Sequence, residues 1–109
     1  MADVQDFHAH VYFSTSDIEK ARRICETCSD TFGLEMGRMH AGPVGPHPDG
    51  SCQLRFGPEK FGDVATWLAL NRDGLTVFLH PMTGDDVPDH RDYAIWMGEQ
   101  QALDLSALG

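Results

Sequence analysis

Between Phe7 and Phe13 the chain alternates strictly. Phe7, Ala9, Val11 and Phe13 are apolar, and His8, His10 and Tyr12 lie between them. A two-residue period puts the two sets on opposite faces of a strand, one greasy and one loaded with polar rings. The period then changes. Ile18, Ala21, Cys25, Cys28 and Phe32 recur at spacings of three and four, the stripe of an amphipathic helix. Ser16 or Thr15 is placed to cap it, Asp17 and Glu19 suit its first turn, and Gly33 is a natural stop. LEMGRMH, residues 34–40, predicts a second strand, and AGPVGPHPDGS, residues 41–51, a stiff loop. CQLRFG, residues 52–57, alternates again, with Cys52, Leu54 and Phe56 opposing Gln53 and Arg55. PEKFGDVATWLALNRDG, residues 58–74, predicts a second helix that starts at Pro58 and buries Phe61, Val64, Ala65 and Leu68. Gly62 costs that helix about 1 kcal/mol. LTVFLHP, residues 75–81, is a fourth strand, stopped by Pro81. MTGDDVPDH is expected to be a polar turn and RDYAIWMGEQ a short helical or irregular segment. The leucines at 103, 105 and 108 have no place set by the pattern.

The element order β-α-β-β-α-β predicts a ferredoxin-like α+β sandwich, with an antiparallel sheet carrying two helices on one face. The first strand is then central, between the third and the fourth. Its apolar residues face the helices, so His8, His10 and Tyr12 face the open side. The same parity brings Gln53 and Arg55 to that side from the third strand, and Thr76, Phe78 and His80 from the fourth. His47 lies in the stiff loop, within reach. Neutral imidazole is the commonest side-chain metal ligand and suits Zn, Fe, Cu or Ni. A His-x-His pair on one strand, joined by histidines from a loop and a neighbouring strand, can surround one ion. Histidines could equally line a dimer interface on the same face.

Composition narrows the partners. The chain has 109 residues, one domain by size, spanning 1–109 with residues 100–109 as an extension. A net charge of −9 repels phosphate backbones and argues against nucleic acid. No apolar run spans a bilayer and the first residues lack the pattern of a signal peptide, so the expectation is a cytoplasmic protein without membrane partners. Three cysteines fit a reducing compartment better than a disulfide framework. Cys25-x-x-Cys28 could be a redox or zinc motif, with His40 and Cys52 as further ligands. Both cysteines complete the apolar stripe of the first helix, however, which makes them buried small hydrophobes. GPVGPHP lacks the lysine of a phosphate-binding loop.

HAHVYF near the start, GPVGPHP in the middle and LTVFLHPMTGDDVPDHRDYAIWMG, taken in this order, resemble the DOPA 4,5-dioxygenase-like family over residues 6–100. The resemblance implies a ferredoxin-like fold, a homodimer, and extradiol cleavage of a catechol such as DOPA by O2 to a semialdehyde. His8 and His10 match its first histidine motif, His47 its Gly-Pro-His-Pro motif, His80 the histidine before a proline, and His90 the Asp-His after the turn. His40 matches nothing in it and is expected at the surface. The implied cofactor is Fe(II), with Zn or Ni possible in purified protein. The implied ligands are His10, His47 and His80, since Asp49, Glu35 and Asp89 are poorly placed to supply the usual carboxylate. His8 or His90 would then move protons, Arg55 and Gln53 would orient the substrate, and Tyr12 and Phe78 would wall its ring. Two alternatives stand beside this reading. One is a metal- or ligand-binding ferredoxin-like dimer module. The other is a metal-independent small enzyme using His8 and His90.

Overall fold

In the computed structural model, which describes residues 3–108, the alternating segment is β1, Asp6–Phe13, at the centre of the sheet. β2 (Glu35–Met36), β3 (Gly50–Phe56), β4 (Val77–Met82) and β5 (Ile95–Met97) complete it in the order β2-β3-β1-β4-β5. Every pairing is antiparallel. The helices α1 (Ile18–Phe32) and α2 (Phe61–Asn71) cover one face. This is the ferredoxin-like βαββαβ sandwich that the element order predicts, with a fifth strand added at the β4 edge.

The apolar face of β1 packs as its period requires. Ala9, Val11 and Phe13 lie in one core with Leu54 of β3, Val77 and Leu79 of β4, Ala21, Ile24, Cys25 and Cys28 of α1, and Val64 and Leu68 of α2. All three cysteines are free and buried in that core. Burial raises the Cys28 thiol to about 12, and the neighbouring Cys52 together with burial pushes the Cys25 thiol up as well. Such thiols are inert packing groups near neutral pH. Gly33 ends α1 in the left-handed conformation at φ 67°, where a side chain would be strained. Lys60 donates to the carbonyls of Phe32 and Gly33 that the helix end leaves over.

Several details differ from the sequence expectation. β4 runs through Pro81 to Met82 instead of stopping at the proline, and Pro58–Lys60 form a 3₁₀ turn ahead of α2. α1 is entered through a 3₁₀ turn, Thr15–Asp17, and neither Ser16 nor Thr15 caps it with its side chain. β2 is only two residues long, although Gly37 still donates its N–H to the Gln53 carbonyl and His40 bridges Ser51. The expected polar turn holds a helix, α3 (Asp86–Arg91). The expected irregular segment holds β5, where Ile95 and Trp96 pair with Leu79 and Phe78. Periodicity has little purchase on elements of two to six residues.

Candidate metal centre

The second face of the sheet is polar in sequence yet is not open. His10, Tyr12, Phe78 and His80 are each at most 3% exposed. The Gly/Pro-rich loop lays His47 over His10, with ring centroids 4.1 Å apart. α3 lays His90 over His80 at 4.0 Å. β5 stacks Trp96 on Phe78 at 4.5 Å and 17°. The tail closes the gap between these covers: Asp104 donates its N–H to the carbonyl of Pro46 in the loop. Its last residues form a 3₁₀ turn at Leu105–Leu108 that packs on α3. The leucine-bearing tail is therefore part of the domain's roof.

Strand register sets the cluster. His8 stands opposite His80 on β4 and Arg55 on β3, and His10 opposite Phe78 and Gln53. Ring nitrogens of His8, His10 and His80 lie within 4.8 Å of one another. The Nε2 atoms of His10 and His80 are 3.0 Å apart. Two nitrogens that ligate one ion at about 2.1 Å stand roughly 3.0–3.4 Å apart, so this pair already has the right spacing. The other nitrogens fix the tautomers. His80 donates Nδ1–H to the carbonyl of Pro81 at 3.0 Å, and His90 donates Nδ1–H to the carbonyl of Asp86 at 2.7 Å. A carbonyl can only accept, so both rings present bare Nε2 atoms to the cluster. His10 must then meet His80 with a shared proton or a shared cation. Backbone carbonyls orienting imidazoles in this way are the usual support of metal-ligating histidine.

His47 is held differently. Its Nδ1 is 2.7 Å from the Tyr12 hydroxyl, and it stands outside the group of three that converges most tightly. Burial keeps these rings neutral. It pushes His80 down to about 3 and His47 to about 4. It holds His10 well below its ordinary value, with the neighbouring imidazoles His47 and His80 adding to the effect. His8 is also lowered, first by burial and then by Arg55. Burial holds the Tyr12 phenol well above its usual range, so it keeps its proton. Five imidazoles packed this closely can be ligands to a divalent ion or can carry protons, and the donor set fits a borderline metal such as iron or zinc.

The carboxylates are committed elsewhere. Asp89 is fully buried, and its two oxygens accept from the Thr83 backbone N–H at 2.9 Å and hydroxyl at 2.6 Å. Asp49 accepts from the N–H of Gly50, and Glu35 pairs with Arg55. Arg55 shares the histidine face but points outward. It is half exposed and held between Asp6 and Glu35 at 2.9 and 3.3 Å. Gln53 does line the site, in a cleft of about 250 Å³ shared with His10, His40 and His47. His40 is therefore part of a cleft wall, half-buried and pinned to Ser51 by two backbone hydrogen bonds. Trp96 is the other residue that sequence reading passed over. The only available signal for it was an aromatic in a run too short to show its period.

Comparison with known proteins shows the family of the chain. A crystal structure from Nostoc punctiforme PCC 73102, described as that of a candidate dioxygenase, superposes with a TM-score of 0.93 at 43% identity, covering 96% of this chain and 91% of that one. An uncharacterised 21.2 kDa protein of Botryotinia fuckeliana is 38% identical over 94% of this chain and 62% of its own length. A DOPA 4,5-dioxygenase of Amanita muscaria is 27% identical over 98% of this chain and 51% of its own length. The chain thus spans between half and two thirds of those two relatives. The sequence model of the Dopa 4,5-dioxygenase family matches residues 7–107, a span that takes in all five clustered histidines, and the chain belongs to that family.

Proposed function

We propose that the protein is a metal-dependent extradiol dioxygenase that cleaves the ring of a small catechol. The observation that carries this is the convergence of His8, His10 and His80 beneath an aromatic wall, with the His80 ring fixed by a backbone carbonyl. Family membership supports it. His8 takes a ligand's place here and His47 does not, because a ring nitrogen of His8 lies inside the converging group and His47 stands outside it. Fe(II), when bound, supplies the redox and Lewis-acid chemistry that lets a catechol and O2 react.

The chain's own residues then have distinct tasks. His90 offers a bare Nε2 beside His80, since its Nδ1–H is spent on Asp86, and can take a hydroxyl proton from the catechol. His47, steadied by Tyr12 on the opposite side of His10, can return one. Phe78, Tyr12 and Trp96 exclude water and give the ring a flat surface. Gln53 can hydrogen-bond a substituent in the loop-side cleft. Both atoms of O2 enter the product and one ring carbon–carbon bond beside the diol breaks. The ring supplies all the electrons, so no outside reductant is required.

The test is turnover. Protein loaded with Fe(II) without air is mixed with L-DOPA or catechol, and O2 is admitted. A visible band from a ring-opened semialdehyde, with one O2 consumed per substrate, is the expected result. Iron shown to be bound, with no product from several catechols, would sink the proposal.

A further inference from the structure

Two clefts flank the histidine cluster, and their chemistry differs. The loop-side cleft, between His10, His40, His47 and Gln53, has no lysine or arginine among its lining residues. The second, of about 190 Å³, lies between α3 and the tail, and its walls include His90, Arg91, Trp96, Gln101 and Leu103. It joins apolar surface, two amide-bearing residues and one guanidinium to an imidazole of the cluster.

The placement of Arg91 is unusual for this chain. With a net charge of −9, the surface as a whole repels anions. Other basic groups near the sheet are engaged: Arg55 between Asp6 and Glu35, Lys60 on the end of α1, Arg72 on the carbonyl of Leu75. Among the described residues Arg91 is paired with its sequence neighbour Asp92 alone, at 3.0 Å, and both side chains are more than half exposed. A pair of that kind is worth little in water and exchanges partners readily. An incoming carboxylate can replace Asp92 on the same two-pronged face of the guanidinium.

Resting on the ring-cleavage reading, we propose that the α3–tail cleft is the substituent subsite of this centre. It takes the carboxylate-bearing side chain of an anionic catechol, held by Arg91, with the chain's apolar carbons against Trp96 and Leu103. Arg91 is then the residue that selects acidic over neutral catechols, and the tail is the wall that shapes the choice.

The test is equilibrium binding without turnover, followed by quenching of tryptophan fluorescence in the absence of O2. The probes are 3-(3,4-dihydroxyphenyl)propanoate and 4-ethylcatechol, which differ only by the carboxylate. The acid is expected to bind about fivefold more tightly, with the margin shrinking as salt is raised. Arg91→Gln brings the two affinities together by weakening the acid, Arg91→Lys restores part of the margin, and Asp92→Asn widens it by removing the internal competitor. Equal affinities in the unsubstituted protein, a preference that survives Arg91→Gln, or no binding of either probe would overturn the subsite. Failure of turnover with the acid preference intact would instead strike the ring-cleavage reading.

Discussion

His10 sits where three lines of contact meet: His80 at Nε2, His47 above, and Phe78 beside it. His10→Ala is expected to lower affinity for Zn(II) or Fe(II) by at least about 100-fold, because it removes a ligand outright. Competition with a chromogenic chelator measures this, and far-ultraviolet circular dichroism should be unchanged. Unaltered metal affinity would remove His10 from the ligand set. Tyr12→Phe tests the support of His47. It deletes a 2.7 Å hydrogen bond in a residue 2% exposed and leaves an imidazole nitrogen without its partner. The expected cost is about 1–3 kcal/mol of stability by urea unfolding, with metal still bound. The histidine strand was legible at this scale because period two is a short-range signal. The partner atoms of each ring were not, since Pro81, Asp86 and Tyr12 reach them only after the chain folds.

Elements that carry single site residues are braced by their ends. α3 is six residues long and owes its position to Asp89, whose buried carboxylate takes both donors of Thr83. Asp89→Ala strands those donors and frees the helix that carries His90, with an expected loss of about 2–4 kcal/mol. Hydrogen exchange should rise first in residues 83–92 if this brace is local. The start of β3 is held as tightly. A Cβ on Gly50 would come within 2.8 Å of the Phe13 carbonyl and 3.0 Å of the His40 carbonyl, so Gly50→Ala must move backbone. It is expected to cost about 1–3 kcal/mol and to disturb the loop bearing His47. The two main helices and the three long strands could be found in the sequence because each repeats its pattern over several residues. α3 and β5 could not, as their identity depends on Thr83 and on the free edge of β4.

Burying His47 and His80 as neutral imidazoles makes the whole molecule acid-sensitive. In the unfolded chain each histidine protonates near pH 6.5. In the folded, metal-free protein His47 resists protonation down to about pH 4 and His80 to about 3. Below pH 6.5 the unfolded state therefore binds more protons, and stability falls as pH is lowered. The contribution is complete above that value and is lost toward pH 4 and 3 respectively. Between pH 7 and pH 5 the expected loss is about 2 kcal/mol for each of these two residues. Urea unfolding of chelator-treated protein at the two pH values measures it. Stability that does not change across this range would mean that the imidazoles are open to water in solution.

The sequence by itself determined the sandwich, the central place of β1, the sorting of its side chains to two faces and the burial of the cysteines. These follow from local period and from the few ways of joining four strands and two helices. Strand parity and the stiff loop pointed to His80 and His47 as companions of the first pair, and the family motifs added His90. Only the tertiary structure decided that the polar face is roofed by loop, α3, β5 and tail. It also decided that His8 converges more tightly than His47, that Arg55 turns to Asp6 and Glu35, and that Arg91 lines a cleft. Each of these depends on contacts that the folded chain makes outside the local period, and a hydrophobic pattern carries no information about which partner a polar side chain will find.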